Sequence, residues 1–120
     1  MSAPQPGQVR ASHILIKHSH SRRLASLRDP TGAQIKNRSR EEAIRTLQSL
    51  REQISSAEDF ANVAQNYSDC GSSPSGGDLG FFGQGTMMPP FEQAAFALHI
   101  GDLSDIIETD SGVHIILRTG

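Results

Sequence analysis

Tryptophan is absent from this sequence, tyrosine occurs once and phenylalanine five times. So few rings, in a chain of formal net charge −2, argue against a general nucleic-acid binder that stacks bases over a basic face. Cysteine occurs once, at Cys70, which excludes an internal disulfide and fits a reducing compartment. Cys70, His13, His18, His20 and His114 have none of the usual ligand spacings, so no metal is expected. No apolar run approaches the roughly 20 residues of a membrane span. Residues 1–11 are polar and hold two prolines, which is unlike a secretory signal. These absences lead us to expect a cytoplasmic and/or nuclear protein with no membrane partner. Internal repeats and low-complexity tracts are missing too.

What is present suits one domain. A chain of 120 residues, 36% hydrophobic and 20% charged, can bury a core of its own. Its charge is unevenly spread. Residues 1–51 carry 10 of the 11 Lys and Arg against 3 of the 13 acids, whereas residues 52–120 carry the other basic residue and 10 acids. The plain explanation is two solvated faces of opposite sign. The sharper one is a local anion site in the basic half.

Residues 1–8 are expected to be a disordered lead and residues 9–120 the folded domain. Val9 to Lys17, with Val9, Ala11 and Ile14-Leu15-Ile16, is strand-like. Residues 18–38 form a polar loop, long enough to be either functional or disordered. Ser39-x-x-Glu42 is a capping-box pattern, and Ala43, Ile44, Leu47, Leu50 and Ile54 then recur at helical spacing. Ser55-Ser56 breaks this helix. A second starts near Glu58, with Phe60, Val63, Ala64 and Tyr67 inward. Leu79 to Phe82 is a short strand. Pro90 suits the first turn of a third helix, which Gly101 is placed to end. Leu103–Glu108 and Val113–Arg118 flank Thr109-Asp110-Ser111-Gly112 in a hairpin pattern. The order β, α, α, β, α, β, β predicts an α+β domain built on an antiparallel sheet of about four strands.

Several strings, in order, resemble the parvulin family of peptidyl-prolyl isomerases. They are Ser12-His13-Ile14-Leu15-Ile16-Lys17-His18, Ser68-Asp69-Cys70, Gly77-Asp78-Leu79-Gly80-Phe81-Phe82, Pro90-Phe91-Glu92 with Ala94 and Ala97-Leu98, and Thr109 through Ile116. Together they cover residues 9–119. Lys17 followed by Ser21-Arg22-Arg23 is similar to the Pin-type, phosphorylation-directed subclass. The resemblance implies a sheet surrounded by about four helices, catalysis without a cofactor, and a monomer acting on proteins with phosphorylated Ser/Thr-Pro motifs. It implies that Lys17, Arg22 and Arg23 bind the phosphate, and that Leu79, Phe82, Met87 and Phe91 form a proline pocket. It places Cys70, His13 and His114 at a polar centre that Ser111 and Thr109 extend. The chain departs from the pattern in three ways. It has no WW domain, as in the single-domain form of plants and some protists. Met88 stands where relatives often carry Gln, and Ala11 where some carry Cys.

Amide rotation faces a barrier of about 18–20 kcal/mol. Turnover at ~1–10³ s⁻¹ needs only about 3–7 kcal/mol of transition-state stabilisation. An apolar pocket poor in donors to the carbonyl would favour the twisted amide, which has lost its charge separation. Alternatives remain for each group. Phe82 and Phe91 also suit a core, His13 and His114 a mutually bonded structural pair, and Cys70 a buried thiol, a hydrogen-bonding thiol or a thiolate. Lys17, Arg22 and Arg23 could be a solvated charge run. Two further readings are a phosphopeptide-binding module with little catalysis and a cysteine hydrolase using Cys70 with His13 or His114. No oxyanion-hole motif supports the hydrolase.

Overall fold

The computed structural model describes residues 7–120. The expected disorder of the N-terminal lead falls mostly outside them, but Gln8 already belongs to the first strand. The strands are β1 (Gln8–Ile16), β2 (Asp78–Gly83), β3 (Ile107–Thr109) and β4 (Gly112–Arg118). The helices are α1 (Arg40–Glu52), α2 (Ala57–Tyr67) and α3 (Pro89–Ala97). Single 3-10 turns at Ile35–Asn37 and Ser73–Ser75 complete the helical cover, in place of a fourth helix. The strands form one antiparallel sheet in the order β2-β1-β4-β3.

The central pair, β1 and β4, is covered on both faces, so its residues read as apolar runs rather than alternation. Ile14, Ile16, Val113 and Ile115 face one way, against Ala43, Leu47 and Leu50 of α1 and Phe60, Val63 and Ala64 of α2. Val9, Ala11 and Ile116 face the other way, against Phe82 and against Phe91 and Ala95 of α3. The pairing sets Leu15 opposite His114 and His13 opposite Ile116. Directly opposed residues share a face and alternate residues do too. Both histidines therefore lie diagonally on the α3 face.

Local signals behave as the sequence predicts at most ends. Ser39 Oγ accepts from Glu42 N at 3.1 Å and Glu42 Oε1 accepts from Ser39 N at 3.3 Å, closing the capping box. Ser56 caps α2 by accepting from Asp59 N at 3.1 Å. Asp110 and Ser111 form the two-residue β3–β4 turn. Three expectations are corrected. Tyr67 is 51% exposed because it sits on the final turn of α2, past the buried stripe. The third helix ends at Ala97, before Gly101. Of Leu103–Glu108 only the end is strand, and Leu103 makes an isolated bridge to Leu117.

The loop between β1 and α1 is ordered by buried polar groups rather than by apolar contacts alone. Asp29 Oδ2 accepts from the backbone N–H of Gln34 at 2.9 Å and Ile35 at 2.8 Å. Arg28 reaches to the C-terminal end of α2, where its guanidinium donates to the carbonyls of Gln65 and Ser68. Helix α2 has no basic residue in its own last turn, so Arg28 supplies the cation that its C-terminal carbonyls favour.

Gly77 anchors the entry to β2 against β1. Its carbonyl accepts from His13 N at 3.0 Å, and its φ is +85°. A Cβ there would lie 2.3 Å from the His13 carbonyl oxygen. Gly77→Ala is expected to cost about 2–3 kcal/mol in urea unfolding, within the range for a left-handed non-glycine plus a backbone clash. Gly85→Ala, at a φ of +86° with nothing within 4 Å of the added Cβ, should cost about 1 kcal/mol. Equal losses at the two positions would contradict this packing.

Candidate active site

The site lies where β1, the β3–β4 hairpin, α3 and the turn after α2 converge. Its centre is a line of side-chain hydrogen bonds on the α3 face. His13 Nδ1 and His114 Nδ1 are 3.0 Å apart, and His114 Nε2 is 2.6 Å from Thr109 Oγ1. Ser111 N–H donates to that same hydroxyl oxygen at 3.1 Å. Ser111 thus joins the network through its backbone.

Each Nδ1–Nδ1 contact needs one protonated and one bare nitrogen, so the line has two polarities. In one, Thr109 donates to His114, His114 donates to His13, and the proton on His13 sits at Nε2. In the other every bond reverses and His13 Nε2 is bare. That nitrogen is buried and makes no hydrogen bond of ordinary geometry among the described residues.

Burial dominates His114, which is 2% exposed. Its pKa is lowered to about 3, by desolvation first and then by His13, so this ring is neutral at any ordinary pH. Phe91 packs edge-on to both imidazoles, with ring centroids 5.3 Å from each. Cys70 behaves differently. Burial pushes its thiol up, but His13 and the polar groups of Ser72 outweigh that and bring it down to about 6. Ser72 N–H donates to Cys70 Sγ at 3.5 Å. A large fraction of the thiol is therefore thiolate near neutrality.

Leu79, Phe82, Met87 and Phe91, the four residues predicted for a proline pocket, do gather in one cluster. Phe82 and Phe91 are each 3% exposed and lie inside it. Leu79 and Met87 are half-buried and pack against it. Met88 caps the start of α3 and lines a neighbouring cleft of about 340 Å³ with Pro89, Pro90, Glu108, Thr109 and Asp110.

The three predicted cations stand on the loop beside this centre. Arg22 N–H donates to the Asp110 carbonyl at 2.7 Å, which holds the loop against the β3–β4 turn. The guanidinium groups of Arg22 and Arg23 are exposed and have no acceptor among the described residues. Other arginines are engaged: Arg10 with Asp78, Arg38 with Asp69 and Arg40 with Glu108. Lys17 Nζ donates to the Ala25 carbonyl at 2.7 Å, leaving two of its protons for other partners. No group of three or more potential metal ligands occurs among the described residues.

Sequence reasoning quoted Ser68 only within a string and gave it no role, yet it is 1% exposed. Its Oγ accepts from Leu15 N at 3.0 Å and from Cys70 N at 3.3 Å, tying the cysteine turn to β1. Its neighbour Asp69 was quoted only as part of a string. Nothing local marks either, because their partners lie about 30 to 50 residues away along the chain.

Residues 13–120 match the rotamase family, described as a PPIC-type PPIase domain. The chain belongs to that family. It is 55% identical, over the whole length of both chains, to the peptidyl-prolyl cis-trans isomerase Pin1 of Malus domestica. It is 58% identical to the Arabidopsis thaliana protein of the same name, over 93% of this chain and 95% of the relative. Among solved structures, the peptidyl-prolyl isomerase ESS1 from Candida albicans superposes with a TM-score of 0.91 at 51% identity, covering 99% of this chain and 66% of that one. The rotamase is thus a peptidyl-prolyl cis/trans isomerase with a parvulin-type fold, as the sequence strings imply.

Two pH effects follow from the site. Alkylation of Cys70 by iodoacetamide should rise with pH around a midpoint near 6, against about 8.5 for a free thiol. His13→Ala should move that midpoint upward; a wild-type midpoint above 8 would refute the thiolate assignment. For His114 the unfolded chain takes up a proton near 6.5 and the folded chain only near 3, so folding stability falls as pH drops through that window. The slope from this group is at most about 1.36 kcal/mol per pH unit. His114→Asn should flatten stability against pH between 4 and 6, measured by urea titrations.

Proposed function

We propose that this isomerase prefers prolines preceded by phosphorylated Ser or Thr, and that proteins carrying such motifs are its clients. One observation carries the reading. Arg22 and Arg23 are cations without acceptors, on an ordered loop held at the edge of the catalytic centre by the Arg22–Asp110 bond. A phosphate supplies what they lack, because a guanidinium can donate two parallel bonds to its oxygens.

In this reading the Leu79, Phe82, Met87 and Phe91 cluster receives the proline ring and the loop receives the phosphate. Between them the amide lies against the polar centre. A planar amide carries partial negative charge on its oxygen, and twisting removes it. An anionic Cys70 beside that oxygen opposes the planar form and so favours rotation. His13, Thr109 and Ser111 hold the surrounding donors in place, and His114 remains neutral. No covalent bond forms, and neither peptide nor enzyme changes mass during turnover.

The test is exchange spectroscopy on matched Ser-Pro and phospho-Ser-Pro peptides. Hydrogen bonds to charged groups contribute roughly 1.5–3 kcal/mol each. The double variant Arg22→Ala/Arg23→Ala should reduce the ratio of kcat/KM for the phosphorylated over the plain peptide by about one to three decades. Raising salt should narrow the ratio in the wild type. An unchanged ratio in the double variant would remove the phosphate-directed reading and leave a general prolyl isomerase. Tight binding of the phosphopeptide without faster exchange would favour the binding-module alternative.

A further inference from the structure

Asp69 is buried, with only 5% of its side chain exposed, yet it is a carboxylate next to a cation-rich loop. Every partner it has belongs to the site's frame. Its Oδ1 accepts from Ser26 Oγ at 3.0 Å. Its Oδ2 accepts from Lys17 N at 3.0 Å and from Arg38 Nη1 at 3.3 Å. Its own N–H donates to the Leu15 carbonyl at 2.7 Å. Cys70 follows directly in the chain.

Ser26 passes the connection into the loop. Its Oγ accepts from Asp29 N at 3.2 Å, and Ser26 and Asp29 also exchange backbone bonds at 3.1 and 3.2 Å. Asp29 in turn orders residues 34 and 35. Ala25, whose carbonyl holds the Lys17 ammonium, immediately precedes Ser26. The segment that carries Arg22 and Arg23 is therefore fixed at one end by Asp110 and at the other by Asp69.

We infer that Asp69 is a positioning residue that sets the distance between the cationic loop and Cys70, so that one buried carboxylate aligns phosphate recognition with isomerisation. The inference rests on the phosphate reading above. Asp69 itself does not meet the substrate. A bare carboxylate in this place would repel a phosphate. Arg38, together with the Ser26 hydroxyl and the Lys17 amide, compensates that charge. The carboxylate can therefore act as a joint without spoiling the anion site.

Three variants separate geometry from charge and from general damage. Ser26→Ala removes the limb that reaches the loop, along with the Asp29 N–H bond to the same hydroxyl, while Ser26 and Asp29 keep their backbone bonds. Asp69→Ala removes all three side-chain contacts. Asp69→Asn keeps the shape, since its carbonyl can still accept from Lys17 and Arg38 while its amide donates to Ser26. Steady-state kcat and KM are measured by exchange spectroscopy on the matched phosphorylated and plain peptides, with the folded fraction checked by circular dichroism. Asp69→Ala should raise KM for the phosphopeptide about tenfold, the effect of one hydrogen bond to a charged group. Ser26→Ala should show a smaller rise of the same kind, and adding it to Asp69→Ala should raise KM by less than it does in the wild type. Asp69→Asn should recover most of the preference.

A merely structural role predicts equal losses on both peptides, and that result overturns the inference. Should Asp69→Ala fail to fold, Ser26→Ala decides: an unchanged phosphopeptide KM also overturns it. The Arg22→Ala/Arg23→Ala protein serves as the reference. If that protein loses the preference while Ser26→Ala and Asp69→Ala keep it, the positioning role fails and the phosphate reading stands. If it keeps the preference, the phosphate reading fails and takes the positioning role with it.

Discussion

The pairing of β1 with β4 is the constraint on which the rest depends. Its register places His13 and His114 on the same face, close enough for their Nδ1 atoms to meet at 3.0 Å. A slip by one residue would turn His114 toward α1 and α2 and put Val113 or Ile115 in its place beside Phe91. Three of the four ring nitrogens of these buried imidazoles are satisfied, two by each other and one by Thr109, which leaves His13 Nε2. The polar line is thus both a product of the register and a penalty against losing it. The same two strands also supply both hydrophobic clusters, so the face that carries the candidate site and the face under α1 and α2 share one scaffold.

Charge is distributed to match. Part of the basic half is neutralised where it packs, Arg10 on Asp78, Arg38 on Asp69 and Arg40 on Glu108, while Arg28 and Arg51 donate to backbone carbonyls. Among the described residues, the unpaired cations in the loop are Arg22, Arg23 and Lys36, of which the two arginines lie beside the β3–β4 turn. The asymmetry seen in the sequence therefore overstates the free positive charge. Of the cations left unpaired, Arg22 and Arg23 are the adjacent pair, held beside the β3–β4 turn by the Arg22 N–H bond to Asp110.

Much of this was legible in the sequence, for reasons that differ by element. Helix α1 announces itself through a capping box and a stripe of apolar residues, both local properties. The hairpin is equally local, since two turn residues between apolar segments suffice. The grouping of Leu79, Phe82, Met87 and Phe91 was expected from resemblance alone, because periodicity cannot tell a pocket wall from a core. Tyr67 misled because a stripe continues on paper past the point where the neighbouring sheet stops. The order of the loop was invisible, as it depends on Asp29, Asp69 and Ser68, short polar residues whose buried role appears only once distant backbone reaches them. The lowered pKa of Cys70 was likewise out of reach, since it is set by His13, 57 positions earlier.

The grip of Arg28 on the end of α2 has a consequence for cooperativity. A binding loop tethered only at its ends would open independently, and ordering it would weigh against every encounter with a substrate. Here the loop shares hydrogen bonds with a helix whose other side is buried in the main core. Opening the loop therefore breaks bonds to the helix, so its conformational entropy is lost when the chain folds. In native-state hydrogen exchange its buried amides are expected to open together with those of the helix.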